Sequence, residues 1–566
     1  MDGTDRSAWI DALLATLLAA ALTAAWAWRD WANLAALRLP DVDDIMRLQQ
    51  IRDWLGGQPF ADLTQHRLGA DGVAMHWSRL ADLVPAAIIR LLEGALGRHG
   101  AEIVAVIAWP ALLLATAIAL VGRIARTVGG ADIARPAMIV AAFAYPASTL
   151  FVPGRIDHHN LQIVLVLAAT LMLVRPASLA TGSIAGVAAC LSIVVGMETM
   201  PLLGVAGAAI VLDWVAGGLA ARRRMAGFGI ALCATTLAAS IVFRTTAWDY
   251  AACDGFTAIS ARALTLASLA PIALAWSGRQ SSVRVRAMLG AASALLLGVG
   301  LAMATPQCLS PYSGVDPVLQ SLWLTRVGEA QPLFAASPAV AIGYAGLMLA
   351  GIGAGGWQAW RTRSRGWVVL LVLQLAALAV TVVQVRGAYA GAMFAAPALA
   401  ALIVAARRAG ALPLVGAWLA SAGVLYPLAA GAMAPSAPAP ATAGGASCTA
   451  PDLIDALGSL PPGRVMAPID TGGVAIATTR QRMIAGAYHR DGAGNLAMYA
   501  FYRGSPAAAS SIARAWQVDY VVACDGFADV AAPFADRLTS GPAPAWLRDV
   551  AHVPSGGRIF AVAPRP

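Results

Sequence analysis

The chain has 566 residues, of which 59% are hydrophobic and only 12% charged, with a mean hydropathy of +0.69. That much apolar surface exceeds what a soluble core of this length can bury, so a water-soluble protein is excluded. The formal charge of +9 comes from 39 basic residues, all Arg, that fall in short clusters between apolar runs, a pattern of membrane topology rather than of a nucleic-acid surface.

Apolar runs of about spanning length begin at Trp9 and recur to about Ala430. They predict about 13 transmembrane helices, near 9–28, 101–122, 135–152, 160–174, 181–196, 201–216, 226–244, 261–277, 286–304, 336–355, 367–384, 388–405 and 411–430. The first run lacks an A-x-A cleavage site and is preceded by Asp2 and Asp5, so it is expected to be a retained anchor. Five Arg clusters fix the orientation: Arg123, Arg126 and Arg135; Arg222, Arg223 and Arg224; Arg279, Arg284 and Arg286; Arg361, Arg363 and Arg365; Arg407 and Arg408. With an odd number of spans all five lie on one side, which the positive-inside rule makes the cytoplasm.

The outside segments are then a first loop (about 29–100), the GRIDHH turn, the loop around Cys253, a loop over 305–335, and everything after the last span. The membrane domain is expected over 1–433, followed by a Pro/Ala/Gly/Ser linker over 434–447. Residues 448–566 have ordinary polarity and strand-like runs such as QVDYVVAC, which predict a small α/β periplasmic domain. The six cysteines include no C-x-x-C pair, which removes zinc-ribbon and thioredoxin-type chemistry. Four of them fall outside the membrane, where disulfides form, and the expected pairs are Cys253–Cys308 and Cys448–Cys524.

Ionisable groups gathered at one membrane surface are costly unless they serve a site. Asp41, Asp43 and Asp44 in LPDVDDIMRL lie just beyond the first span and fit either cation binding and general-base work or an acidic helix cap. In PGRIDHHNLQ, Asp157 and His159 can reach one cation, and a carboxylate with an imidazole suits a borderline ion such as manganese. His158 lies between them. Glu329 stands in the outer RVGEAQP segment. Arg386, in VVQVRGAYAG, lies on the outer side against the positive-inside trend, where it can hold a phosphate or snorkel to the interface.

These motifs resemble, in order, those of the oligosaccharyltransferase catalytic subunits, which are GT-C membrane glycosyltransferases. LPDVDDIMRL and the following DGVAMHWSRLADL, with His76 and Arg79, look like the family's first outer loop with its catalytic aspartate. Asp41 fits that aspartate by its distance from Arg47, and Asp43 fits by a shift of two residues. GRIDHHNLQ is similar to a D-H-H motif whose Asp and His hold the metal; RVGEAQP is similar to the S-V-S-E-H-Q-P segment; VVQVRGAYAG is similar to the segment whose Arg binds the lipid-linked phosphate. The resemblance implies a polytopic α-helical membrane protein of GT-C fold. It also implies transfer of a sugar from a polyprenyl-phosphate or polyprenyl-diphosphate donor to an envelope acceptor, with Mg²⁺ or Mn²⁺ as cofactor, in a bacterial inner membrane.

On that resemblance the metal set is Asp43, Asp157 and His159, with Asp41, Asp43, Asp44 and Glu329 as catalytic candidates and Arg386 on the donor phosphate. Tyr488, His489 and Arg490 join His158, His76 and Arg79 as candidate acceptor contacts. The family's W-W-D-Y-G motif is matched only by APIDTGG, which keeps Asp470 and Gly472 but no aromatic residue, and this predicts an acceptor other than an Asn-x-Ser/Thr peptide. The alternative function is a transporter or flippase of a lipid-linked or anionic solute, with the same charges lining a pathway.

Overall fold

A computed structural model describes residues 3–250, 252–277, 282–309, 314–433, 447–527 and 530–563. Arg279 and most of the expected linker fall outside these residues. The chain divides into two compact units: residues 1–37, 76–311 and 327–434 form the first, and residues 38–75, 312–326 and 435–566 form the second.

The first unit is a helical membrane bundle. Among the described residues, eight helices are long and apolar enough to cross a membrane, and a bent pair, Ala411–Ser421 with Leu425–Ala432, makes a ninth. The other four of the 13 expected spans are shorter helical elements. The runs near 160–174, 181–196 and 201–216 form the helices His159–Val174, Leu179–Val195 and Met200–Ala216, of 16, 17 and 17 residues. The run near 135–152 is a 12-residue helix, Ala131–Ala142, followed by a single turn of 3-10 helix at Ala147–Phe151. At about 1.5 Å per residue these helices reach about 18–26 Å, short of a ~30 Å hydrocarbon core. Such short elements persist in a membrane because their ends are satisfied by protein groups rather than lipid. The opposite case is Val283–Ala304, whose Leu295 and Leu296 are 68% and 73% exposed and face the surroundings that lipid fills.

Tight packing sets the geometry of this unit. Helix Leu179–Val195 lies directly on helix Leu219–Val242, and a Cβ at Gly182 would stand 1.9 Å from the Arg224 carbonyl oxygen. Gly227 makes the reciprocal approach to the Leu179 carbonyl at 2.3 Å. Only residues without a side chain admit this distance, since backbones touch where a Cβ would otherwise intervene. In the long helical stretch Arg79–Gly129, Gly97 takes φ +69° and ψ 166°, which separates an amphipathic arm from the span that follows.

Arginines collect at one end of the bundle. Arg224, only 1% exposed, donates to the Leu173 carbonyl and to Asp213 Oδ2, both at 3.1 Å. Arg365 pairs with the same Asp213 carboxylate and donates to the Leu173 carbonyl at 2.8 Å. Arg286 donates to the Val215 carbonyl at 3.1 Å, and Arg126 and Arg135 converge on Asp11. Four of the five Arg clusters expected on one face are thus represented in these networks.

The second unit is built around one five-stranded sheet. The first loop contributes a small hairpin, β1 (Thr64–Gln65) and β2 (Val73–Ala74). The sheet is built from β3 (Arg464–Met466), β4 (Arg482–Met483), β5 (Tyr520–Ala523), β6 (Leu547–His552) and β7 (Arg558–Val562). The β3–β4 and β3–β5 pairs are parallel, and β5–β7 and β6–β7 antiparallel. This unit is larger than the expected 448–566 domain because two segments from earlier in the chain fold into it. Helix Val42–Leu55 packs on helix Ile469–Thr478, with Arg52 donating to the Ala477 carbonyl at 2.9 Å. Leu319, fully buried, joins Phe501, Tyr502 and Phe534 in its core.

Both expected disulfides are present, Cys253–Cys308 within the first unit and Cys448–Cys524 within the second. Cys190 and Cys233 are free thiols.

Candidate active site

Three short stretches of the first unit build a charged cluster at the ends of its helices. The Asp157 turn is pinned by Asn160, whose side-chain amide donates to the carbonyls of Leu150 and Arg155 at 3.2 and 2.8 Å, and by the Gly154 amide on the Val106 carbonyl. The second stretch is the turn after helix Leu179–Val195, closed by a 2.8 Å hydrogen bond between the hydroxyls of Ser192 and Thr199, which presents Glu198. The third is the approach to helix Gly387–Ala409. There the Val385 amide donates to the Gln331 carbonyl at 2.9 Å and the Arg386 amide to the Glu329 carbonyl at 3.3 Å, so Glu329 and Arg386 arrive together.

His158 is 3% exposed and has a carboxylate on each ring nitrogen: Asp157 Oδ1 at 2.7 Å from Nδ1, and Glu198 Oε1 at 3.1 Å from Nε2. Burial opposes its protonation, but these two carboxylates outweigh burial and push its pKa up to about 10. Burial likewise opposes the Glu198 charge, and the facing His158, His159 and Arg386 nonetheless hold that carboxyl well below the usual range. His159 places Nε2 3.5 Å from Asp157 Oδ2 and 3.8 Å from Glu329 Oε1, and its Nδ1 3.3 Å from Gln162 Oε1. Arg386 lies 3.5 Å from Glu329 and 3.9 Å from Glu198.

Asp157, His158 and His159 can each aim one ligand atom to within 4.8 Å of the others. With both nitrogens of His158 held by carboxylates, the atoms best placed for a cation are Asp157 Oδ2 and His159 Nε2, with Glu329 beside them. A cavity of about 30 Å³, lined in part by His159, Gln162, Glu198 and Arg386, adjoins them and has room for an ion or a water. The donor set therefore fits a divalent cation of the Mg²⁺, Mn²⁺ or Zn²⁺ type.

The cluster lies at the far end of the bundle from the arginines. Helix His159–Val174 begins at the cluster and ends beside the Leu173 carbonyl that Arg224 and Arg365 hold. Helix Arg365–Val383 runs the other way, from the Arg365–Asp213 pair to the approach of Arg386. Both the cation-capable residues and the Arg clusters thus fall at the ends of the same helices, about 24 Å apart.

The structure brings Asp157, His158, His159, Glu329 and Arg386 together. His76 belongs to the same unit, its ring 6.3 Å from that of His158. Arg79 is buried against Asp82 at 3.3 Å at the start of the amphipathic arm. In the second unit, Asp41 is the N-cap of helix Val42–Leu55 and accepts from the Asp43 amide at 3.2 Å. Asp44 is wholly buried, whereas Asp43 is half-buried in the first turn. Tyr488 is 2% exposed, and in the same turn Arg490 donates to the Ala74 carbonyl at 3.4 Å. His489 is half-buried beside it. Gly472 is a packing residue, since a Cβ there would meet the Ala485 carbonyl at 2.0 Å, and Asp470 is exposed.

Sequence reasoning missed Glu198 and Gln162. A signal for Glu198 was present: it is the only acidic residue between Asp157 and Asp213, in an otherwise apolar stretch.

No protein-family model and no curated protein matches the sequence. Among solved structures, the chain is similar to the archaeal oligosaccharyltransferase AglB of Archaeoglobus fulgidus in complex with an inhibitory peptide and a dolichol-phosphate. The TM-score is 0.67 at 14% identity, over 92% of this chain and 70% of that one. The apo form of the same enzyme gives a TM-score of 0.67 at 15% identity, over 91% of this chain and 69% of that one. Its complex with Zn and sulfate gives 0.60 at 15% identity, over 98% and 73%. At this identity the fold is what is shared: the chain is a multi-pass membrane protein of the GT-C, oligosaccharyltransferase-like fold.

Proposed function

We propose that the protein is a glycosyltransferase that moves a sugar or oligosaccharide from a polyprenyl-phosphate or polyprenyl-diphosphate donor to an envelope acceptor. The observation that carries this reading is the convergence of Asp157, His159, Glu329 and Arg386 at the end of the bundle remote from the Arg clusters. By the positive-inside rule the Arg end is cytoplasmic, so the reaction faces the periplasm of a bacterial inner membrane and the second unit is periplasmic.

Arg386 takes the donor phosphate, which exchanges its Glu329 and Glu198 partners for a charge-assisted pair with phosphate oxygens. Asp157 and His159 hold a divalent cation, Mg²⁺ or Mn²⁺, with Glu329 beside it; when bound, such an ion neutralises negative charge on the departing phosphate. Of Asp41 and Asp43, the two first-loop carboxylates that match the family's catalytic aspartate, we assign the acceptor base to Asp43. Proton removal by Asp43 lets the acceptor attack the anomeric carbon as its bond to the phosphate oxygen breaks, and a single displacement inverts that carbon.

The acceptor is a lipid or glycan hydroxyl rather than a sequon peptide. Supporting this, the APIDTGG segment keeps Asp470 and a packing glycine but contributes no aromatic residue of its own. A transporter is disfavoured because helix His159–Val174 carries no charge along its length, and the ionisable groups stand at helix ends instead of midway.

The test is full-length protein in lipid with a polyprenyl-linked donor, offered a sequon peptide and an envelope lipid extract in parallel. A glycosylated lipid product that disappears with chelator or Asp157→Ala is the expected outcome. Donor movement across the bilayer without any product would replace the enzyme with the transporter. Glycosylation of the peptide alone would overturn the acceptor assignment.

A further inference from the structure

Five side chains of the site close into a ring. Asp157 Oδ1 meets His158 Nδ1 at 2.7 Å, His158 Nε2 meets Glu198 Oε1 at 3.1 Å, and Glu198 Oε2 accepts from Gln162 Nε2 at 2.8 Å. Gln162 Oε1 then meets His159 Nδ1 at 3.3 Å, and His159 Nε2 returns to within 3.5 Å of Asp157 Oδ2. The backbone makes room for this arrangement at Gly196, where a Cβ would lie 2.4 Å from Glu198 Oε2, 2.9 Å from Gln162 Nε2 and 2.9 Å from the His158 ring. Any other residue there would occupy the space in which the ring closes.

Donor and acceptor rules fix the direction of the ring. An ionised carboxylate only accepts, so Glu198 forces Gln162 to turn its NH₂ toward it and its carbonyl oxygen toward His159. A carbonyl oxygen only accepts, so His159 must carry its proton on Nδ1. In the neutral ring that a metal requires, the lone pair is then on Nε2, beside Asp157 Oδ2. We infer that Glu198 is a positioning residue which, acting through Gln162, locks His159 in the tautomer that presents Nε2 as a metal ligand. This rests on the proposed cation site. It assigns to Glu198, 39 residues from His159, the outer-shell function that orients a ligating imidazole.

The probe is Co²⁺, titrated into full-length protein in lipid and followed by its visible absorption, with Mg²⁺ as competitor. Imidazole nitrogen favours Co²⁺ over Mg²⁺, so losing the correct tautomer should weaken Co²⁺ selectively. Glu198→Gln is expected to lower Co²⁺ affinity by about 10- to 100-fold and Mg²⁺ affinity far less. Gln162→Met leaves the Glu198 charge in place and should lose Co²⁺ affinity likewise. The exchange Glu198→Gln with Gln162→Glu rebuilds the donor and acceptor order around the ring, and should return Co²⁺ affinity to within about threefold of the parent.

Equal loss of both ions in Glu198→Gln, unchanged Co²⁺ binding in Gln162→Met, or an exchanged pair no better than the single variant would each overturn the inference while leaving the cation site standing. A parent protein that binds neither ion would overturn the cation site and the inference together.

Discussion

Gly182→Ala tests how firmly the site depends on helix packing remote from it. The added Cβ would stand 1.9 Å from the Arg224 carbonyl oxygen, and 2.8 and 2.9 Å from that residue's carbonyl carbon and Cα, so no rotamer relieves the clash. To reach an ordinary contact the two helices must separate by more than 1 Å, which opens an interface where packing is measured in tenths of an ångström. Overpacking of this kind costs about 1–3 kcal/mol, and the upper end applies here because the obstacle is backbone. Helix Leu179–Val195 leads directly into the turn that holds Glu198, so the displacement also reaches the active site. Gly204→Ala is the matched control: it sits on the exposed face of helix Met200–Ala216, and an added Cβ meets nothing within 4 Å. There the change removes backbone freedom from the unfolded chain and is neutral or stabilising by up to about 1 kcal/mol. Thermal unfolding of the two purified variants, together with transfer activity, separates the cases. Equal midpoints and equal activities would show that the helix approach does not constrain the fold, and would refute the reasoning.

Asp41→Asn preserves a side-chain cap and should keep stability within about 0.5 kcal/mol and transfer near the parent rate. Asp43→Asn, by contrast, should lower transfer by at least about 100-fold, and the reverse order in a rate assay would move the base to Asp41. Arg386→Gln removes the guanidinium that balances Glu198 and Glu329 and pairs with the phosphate, so donor affinity should fall by about 100-fold or more while Arg386→Lys retains part of it, read as KM against donor concentration. In the second unit, Asp491 is 3% exposed and burial pushes its pKa from 3.8 up to about 8. The folded state then binds the extra proton between those two values, so this group makes stability fall as pH rises from about 4 to 8, and Asp491→Asn should flatten that slope in thermal unfolding at pH 6 and pH 8. A steeper fall in the variant would contradict the burial argument.

Solvation and short-range spacing act along the chain, and what they govern was legible in the sequence. The apolar runs all became helices, because a backbone in lipid has few other ways to satisfy its polar groups. Members of four of the five Arg clusters gathered at one end of the bundle, and the two-residue step from Asp157 to His159 put both groups within reach of one ion. Other features depend on packing between segments that are distant in sequence. Glu198 meets His158 across 40 residues because the turn after one helix is docked on the start of another. Glu329 reaches Arg386 because two loops pair through their backbones. The three first-loop aspartates look alike in sequence, and only the folded helix assigns one to capping, one to the interior and one to the half-buried first turn. The same holds for the short helices around the site. Composition marks them as apolar, but how far each extends is set by the protein groups that close its ends, and those groups come together only in the tertiary structure.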